Sequence, residues 1–211
     1  MTVQPAFVLA SASPARLNTL RCAGLDPEVM VSGVDESTVE SSSPQILCAT
    51  LARMKAEATV SRIRQHPGGG AKIVLGCDSV LAFDGEIMGK PTDDADASAR
   101  WHRMRGKSGV LHTGHCLIEA ETGRMAEAVT STVVHFGDVT DEEIAAYVAT
   151  GEPLHVAGAF TIDGLGGWFI ERIEGDHGTV VGVSLPALRR LLSELGTSVA
   201  AAWSTPLTST P

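Results

Sequence analysis

FVLASASPARLNTLRCAG, residues 7–24, decides the first unit of the fold. The apolar residues 7–10 predict a buried strand, and the residues from Pro14 onward have the apolar spacing of a helix. Ser13 is placed to cap this helix, Pro14 suits its first turn and Gly24 suits its end. A strand that leads through a short serine-containing turn into a capped helix indicates an α/β protein.

The next part of the chain continues this alternation. Residues 28–34 predict a second strand, and Ser43 with Pro44 predicts the start of a long helix that ends in the His-Pro-Gly-Gly-Gly run at 66–70. Residues 72–77, KIVLGC, are almost wholly apolar, as expected for a strand that is covered on both faces. The first half therefore predicts strands and helices in turn.

The second half of the chain predicts longer runs of strand. Asp84 and Gly85 separate two short apolar segments, which is a strong hairpin signal. Further strands are expected at 110–119 and 124–136, and helices at 92–105, 140–151 and 184–196. Thr140 and Glu143 form the pattern of a capping box for the second of these helices. Strands that follow one another without intervening helices favour a mixed sheet.

Charge limits the class of partner. The chain has 211 residues, with 16 Lys and Arg against 25 Asp and Glu, and its formal net charge is -9. Proteins that bind duplex nucleic acid usually carry a basic surface, so this class is not expected. A single nucleotide is still compatible with this composition, because a local cationic pocket can hold a triphosphate within an acidic protein.

Neither a membrane-spanning segment nor a secretory signal peptide is expected in this sequence. Its apolar runs are shorter than the roughly 20 residues that cross a bilayer, and its first residues have no basic segment before the short apolar stretch. The four cysteines are widely spaced and form no CxxC pair: Cys22, Cys48, Cys77 and Cys116. This spacing favours reduced thiols, and hence a cytoplasmic protein, over disulfides or a zinc site.

Three segments carry polar residues where a plain core-and-turn pattern would not need them. Ser11, Ser13 and Arg16 could form an anion cradle at a helix N-terminus, although the same residues also fit a simple helix cap. Asp78 follows a buried strand, where α/β sheets place ligands, or it simply forms a turn. Lys90 follows the hairpin, and a lone lysine there is often only a solvated surface residue.

Together these residues match the needs of a metal-dependent phosphoanhydride hydrolase. Such an enzyme requires oxygen ligands for Mg²⁺ or Mn²⁺, cations for the phosphates and a base for water. The candidate acids are Asp35, Glu36 and Asp78, and the candidate cations are Arg16, Lys55 and Lys90.

Other catalytic arrangements have weaker support. His112 and His115 are three residues apart in a predicted strand, so they point to opposite faces and do not form a metal pair. The sequence contains no GxSxG nucleophile motif, no GxxxxGK[ST] phosphate loop and no strand-linked GxGxxG motif. Cys77 lies in an apolar strand without a histidine partner, which favours an inert core cysteine.

The order of these short motifs resembles the Maf family of nucleoside triphosphate pyrophosphatases from about residue 7 to residue 196. Eight or more of the family's motifs occur in the same order. They are LASASPAR at 9–16, the Asp35-Glu36 pair, ARMKA at 52–56, GCDSV at 76–80, GEIMGKP at 85–91, Thr113-Gly114, the YxxxGEP stretch at 147–153, AGAF at 157–160, GLGGWFI at 164–170, RIEGD at 172–176 and VVG at 180–182.

The resemblance implies a fold and a domain arrangement. The expected fold is α/β, with a long twisted mixed β-sheet flanked by helices and two lobes around a central cleft. Residues 1–196 would form a single Maf-like domain, and residues 197–211 a flexible C-terminal tail. The family also implies a homodimer.

The resemblance further implies hydrolysis of a nucleoside triphosphate at its α-phosphorus. The products would be the monophosphate and pyrophosphate, the cofactor a divalent cation (Mg, Mn or Co), and the role the clearance of non-standard or surplus nucleotides. Asp78 would be the catalytic residue, and Glu36 and Asp78 would lie at the metal. The substrate-binding residues would be Ser11, Ser13, Arg16, Lys55 and Lys90.

Several positions depart from the family pattern. Ala15 stands where the family has the first of two arginines, residues 105–109 lack a histidine, and His155 with Val156 replaces an acid–lysine pair. Asp163 stands where the branch that prefers dTTP and UTP has Gln, so the preferred base is left open. Two alternatives follow: a nucleotide-binding regulatory or division-linked protein with weak or no turnover, and a pyrophosphatase of the inosine-triphosphate type.

Overall fold

A central mixed sheet organises the computed structural model, which describes residues 6–66 and 72–203. The strands are β1 (Ala6–Leu9), β2 (Glu28–Val29), β3 (Lys72–Phe83), β4 (Glu86–Met88), β5 (Ser108–Glu119), β6 (Met125–Phe136) and β7 (Ile170–Glu174). The α-helices are α1 (Pro14–Cys22), α2 (Pro44–Gln65), α3 (Asp94–Met104), α4 (Asp141–Ala149), α5 (His177–Val181), α6 (Leu185–Glu194) and α7 (Val199–Ala202).

The sheet contains both parallel and antiparallel pairs. Its order is β2-β1-β3-β5-β6-β7, and β4 also pairs with β3. β1 runs parallel to β2 and β3, whereas the pairs from β3 to β7, including β3 with β4, are antiparallel. The predicted α/β fold with a mixed sheet flanked by helices is therefore confirmed.

One edge of β3 changes partner along its length. β1 pairs with residues 72–75 of β3, and β4 pairs with residues 81–83. Between them, residues 76–80 have no strand partner on that edge within the described part of the chain. Because β1 is parallel to β3 and β4 is antiparallel, the C-terminal ends of both strands face this open stretch, which we call the β3 gap.

The hydrophobic core is divided at the same place. Two apolar clusters cover the two faces of the sheet near β1: one contains Leu9 and Leu75, and the other contains Val74 and Ala52 of α2. A third cluster surrounds Trp101 and includes residues of β4, α3 and α4. This division agrees with the predicted two-lobed shape, with the β3 gap between the lobes.

The helix boundaries follow the expected capping residues. Ser13, Ser43 and Ser184 each accept a hydrogen bond from a backbone N–H in the first turn of the helix that follows. Thr140 and Glu143 form the predicted capping box of α4. Helix α2 ends at Gln65; the Pro-Gly-Gly-Gly part of the expected stop lies outside the described residues.

Three elements differ from the sequence interpretation. β2 is limited to Glu28–Val29, because its partner β1 ends at Leu9 and offers no further backbone groups. β3 does not end before Asp78 but runs on to Phe83, since β5 pairs with it along this whole stretch. Helix α5 was not anticipated.

Part of the expected C-terminal tail lies among the described residues. Residues 199–202 form helix α7, and Ala202 is buried in the cluster that contains Leu9. Residues 204–211 lie outside the described residues. Within residues 6–66 and 72–203, no helix has the length and the apolar content that crossing a bilayer requires.

Candidate active site

Lys55 joins two of the predicted acids at the β3 gap. Its ammonium Nζ donates to Asp78 Oδ1 at 2.6 Å and lies 2.7 Å from Glu36 Oε1. Lys55 and Asp78 are only 8% and 6% exposed, whereas about half of the Glu36 side chain is exposed. A buried cation thus bridges a buried carboxylate and a more accessible one.

Two glycines allow helix α2 to carry Lys55 to Asp78. A Cβ atom at Gly76 would lie 2.1 Å from the Ala52 carbonyl oxygen, and one at Gly114 would lie 2.3 Å from the Cys48 carbonyl oxygen. Real side chains never approach backbone atoms so closely, so only glycine fits at either position. Gly114 pairs directly with Asp78, which places this close contact beside the carboxylate.

Burial changes the proton affinity of Asp78. Removal from water raises the pKa of this carboxyl above its ordinary value, because desolvation disfavours the charged form. The charge and hydrogen bond of Lys55, and the charge of Arg16, act in the opposite direction, while Glu36 adds to the rise. Asp78 is therefore a stronger base than an exposed aspartate.

Asp35 and Glu36 have different roles although they are adjacent. The Asp35 carboxylate caps a short 3₁₀ turn, Glu36–Thr38, and accepts hydrogen bonds from the Ser37 N–H at 3.0 Å and the Ser37 hydroxyl at 2.7 Å. These bonds lower the pKa of Asp35. The turn that Asp35 stabilises directs the next residue, Glu36, to Lys55.

A second cluster surrounds the guanidinium of Arg16. Its Nε donates to the Gly182 carbonyl at 2.8 Å, one terminal nitrogen donates to Ser11 Oγ at 3.1 Å, and the other donates to Ser79 Oγ at 2.9 Å. Ser13 Oγ accepts from the Arg16 backbone N–H at 3.3 Å. The segment is thus a helix cap, as one interpretation predicted, and it also helps to hold the Arg16 cation; the anion cradle stays a prediction.

The clusters meet at β3, where Asp78 and Ser79 are consecutive. The structure brings Lys55, Asp78 and Glu36 into one cluster and Ser11, Ser13 and Arg16 into the other. Lys90 is exposed and lies two residues after Met88, the residue of β4 that pairs with Leu81. The register carries the chain from Met88 toward the β3 gap, but Lys90 makes no hydrogen bond or ion pair with the other described residues.

Sequence reasoning assigned no role to Ser79, Gly182 or Thr113. Ser79 and Gly182 accept hydrogen bonds from Arg16, and Thr113 lies 2.8 Å from the Ser79 hydroxyl. The hydroxyl residues within the strand pair were the available signal, since a buried hydroxyl needs a partner. Gly182 gave no such signal, because its contact is made by a backbone carbonyl.

The two histidines of β5 have structural partners. His112 Nδ1 is 2.7 Å from Ser131 Oγ, and His115 Nε2 accepts from the Ser184 N–H at 2.9 Å. Burial lowers the pKa of His115 to about 4, so its ring is neutral. Three residues apart in a strand, they lie on opposite faces of the sheet, as expected.

The carboxylates of Asp78 and Glu36 are suited to a divalent cation that is also bound by the phosphate oxygens of a substrate. Within the described ranges, no group of three or more His, Cys, Asp or Glu side chains could hold a metal alone. Mg²⁺ in phosphoryl-transfer sites typically uses one or two carboxylates together with substrate oxygens. Asp78 and Glu36, which both reach the same ammonium within 2.7 Å, supply two such hard oxygen donors.

Comparison with known proteins gives one consistent family. The model of the Maf-like protein family matches residues 6–195. A nucleoside triphosphate pyrophosphatase of Salinispora tropica is 64% identical over 94% of this chain and 87% of the relative. Proteins of the same name from Streptomyces avermitilis and Nostoc punctiforme are 57% and 48% identical, over 96% and 94% of this chain and 98% of each relative. The chain therefore belongs to the family of Maf-like proteins.

Proposed function

We propose that this protein hydrolyses nucleoside triphosphates to the monophosphate and pyrophosphate, by attack of water at the α-phosphorus. The observation that carries the proposal is the buried Lys55–Asp78 pair at the β3 gap, with Glu36 on one side and the Arg16 cluster on the other. Carboxylates and cations lie together there, and relatives that match nearly the whole chain bear the name of this activity.

Asp78 is the proposed general base. Its carboxylate would accept a proton from the attacking water, and its raised pKa strengthens it for this step at neutral pH. Lys55 holds one carboxylate oxygen at 2.6 Å and so fixes the orientation of the group. A correctly placed base is typically worth about 10²–10⁴ in rate.

Arg16, Ser11, Ser13 and Lys90 are the proposed phosphate-binding residues, together with Lys55. Arg16 has five N–H donors, and three of them are used by Gly182, Ser11 and Ser79. The remaining donors and the full positive charge are available to phosphate oxygens. Cations fixed in this way stabilise the charge that develops on the leaving pyrophosphate.

Asp78 and Glu36 are also the residues that would hold a divalent cation, whether Mg, Mn or Co. When bound, such a cation neutralises phosphate charge and polarises the phosphoryl oxygens.

The free thiols Cys22, Cys48, Cys77 and Cys116 support the further proposal of a cytoplasmic location. We also propose a homodimer, on the family resemblance alone.

The test is a substrate panel with the purified protein. Standard nucleoside triphosphates and inosine triphosphate are incubated with Mg²⁺, Mn²⁺ or Co²⁺, and pyrophosphate and monophosphate are measured. Equal release of both supports the proposal, and release of orthophosphate contradicts it. Binding without turnover on every substrate would favour the regulatory alternative, and a strong preference for inosine triphosphate the inosine-type one. EDTA, followed by re-addition of each cation, tests the metal.

A further inference from the structure

Among residues 6–66 and 72–203, the side-chain hydrogen bonds that fix the guanidinium of Arg16 all go to neutral oxygen atoms. These are the Gly182 carbonyl at 2.8 Å, Ser79 Oγ at 2.9 Å and Ser11 Oγ at 3.1 Å. A carboxylate partner would cancel much of the charge, whereas neutral acceptors fix the group without cancelling it. The arrangement thus orients the cation and leaves its charge for an anion.

The direction of the hydrogen bonds beyond Ser79 follows from counting protons. Thr113 Oγ1 donates to the Thr179 carbonyl at 2.8 Å, and a carbonyl can only accept. The single hydroxyl proton of Thr113 is then used, so at its 2.8 Å contact with Ser79 Oγ it must accept. Ser79 donates to Thr113, and its oxygen lone pairs face the Arg16 donor.

This chain of hydrogen bonds is rigid because its far end is buried. Thr113 and Thr179 are both 0% exposed, so water cannot replace either partner. Thr113 lies on β5, and the carbonyl of Thr179 belongs to α5, the helix that leads directly to Gly182. The same α5 segment therefore fixes Arg16 twice, once through the Gly182 carbonyl and once through Thr113 and Ser79.

We propose that Thr113 is a positioning residue for triphosphate binding, which acts by orienting the Ser79 hydroxyl so that it holds Arg16. The inference rests on the proposed function, because it takes the triphosphate as the anion that Arg16 binds. Thr113 does not contact substrate in this scheme. Its effect is on how firmly the enzyme binds phosphate rather than on the chemical step.

The primary test compares Thr113→Val with Thr113→Ser. Valine keeps the shape of the side chain and removes the hydroxyl, whereas serine keeps the hydroxyl. The Arg16–Ser79 hydrogen bond has a charged donor, so misorientation of Ser79 should weaken phosphate binding by about tenfold. We expect Thr113→Val to raise KM for the best triphosphate about tenfold with kcat within about threefold, and Thr113→Ser to restore KM.

A control threonine separates positioning from general structural damage. Thr140 caps α4, and its hydroxyl accepts from the Glu143 N–H at 3.2 Å, without contacting α5, Arg16 or Ser79. Thr140→Val should lower the melting temperature, because a helix cap is lost, without raising KM. An equal rise of KM in Thr140→Val and Thr113→Val would overturn the proposal.

Two further measurements complete the test. In an Arg16→Gln background, Thr113→Val should cause no additional rise of KM, since both changes act on one interaction; an additive effect contradicts the inference. Calorimetric binding of inorganic tripolyphosphate reports on Arg16 even if the protein hydrolyses no nucleotide, so failure of the proposed function is seen separately. If Thr113→Val does not fold, Ser79→Ala must show the same loss of binding, or the proposal fails.

Discussion

Asp78 and Ser79 are consecutive residues of β3 that serve opposite faces of the sheet. Asp78 bonds to Lys55 of helix α2 on one face, and Ser79 accepts a hydrogen bond from Arg16 of helix α1 on the other. Successive side chains of a strand alternate between its faces, so one dipeptide can fix both a base and a cation. The β3 gap leaves this dipeptide without a strand partner on one edge, within the described part of the chain.

Replacement of Asp78 by Asn should remove catalysis while the protein still folds. Asn has nearly the same shape but cannot accept the proton from water, so kcat should fall by at least about 10². Pyrophosphate release measures the rate, and circular dichroism measures folding. Asp84→Asn is the matched control, because Asp84 is an exposed turn residue with a φ of 51°, which Asn tolerates. Near-normal turnover in Asp78→Asn would exclude Asp78 as the base.

The activity should depend on the protonation of Asp78. Burial raises the pKa of this carboxyl, so the active carboxylate is lost as the pH falls through a value above the ordinary 3.9 of an aspartate. We expect kcat/KM to decline on the acid side, and carbon-13 NMR of the metal-free protein to show the raised pKa itself, because a divalent cation at Asp78 would lower it.

Lys55→Met should move that decline to still higher pH. Lys55 favours the charged form of Asp78, so its removal raises the pKa of Asp78 further. Carbon-13 NMR of the Asp78 carboxyl as a function of pH measures the shift independently of turnover. Lys72→Met, which removes an ion pair with Glu28 away from the site, is the control. An unchanged pKa in Lys55→Met would mean that the Lys55–Asp78 contact does not stabilise the charge.

The local parts of the fold were readable from the sequence, and the long-range parts were not. Ser13 and Ser43 could be assigned as helix caps because the capping signal lies within three residues of its target. The burial of α2 was harder to predict. The apolar Ile46 is 61% exposed, while the charged Lys55 lies on the buried face, since its charge is compensated by Asp78.

The order of motifs gave the candidate site residues, but the contacts between these residues could not be predicted from it. The contact between Arg16 and Gly182 joins residues 166 positions apart, and no local pattern encodes it. The assumed end of β3 before Asp78 was wrong for a similar reason. Periodicity within residues 72–77 could not reveal that β5 pairs with β3 well beyond this segment.

Gly114→Ala should move Lys55 of helix α2 away from Asp78 of strand β3. The added Cβ would lie 2.3 Å from the Cys48 carbonyl oxygen, so helix α2 must move away from the sheet and take Lys55 with it. Overpacking of this kind typically costs about 1–3 kcal/mol. We expect a lower melting temperature together with a loss of activity. Gly89→Ala, where a Cβ would meet no atom within 4 Å, should keep the melting temperature of the parent protein. Unchanged stability in Gly114→Ala would contradict the close packing of α2 on β5.

The four cysteines should differ sharply in reactivity, although Cys77 is next to the proposed base. Cys22 is exposed, whereas Cys48, Cys77 and Cys116 are buried. Burial raises the pKa of Cys77 to about 11 and that of Cys48 to about 12, and it also raises the pKa of Cys116, so little thiolate forms at neutral pH. Iodoacetamide should therefore label the native protein at Cys22, with full activity retained, and mass spectrometry of tryptic peptides locates the label. Cys22→Ser should abolish this labelling. Loss of activity in proportion to modification of Cys77 would instead assign that thiol a part in the reaction.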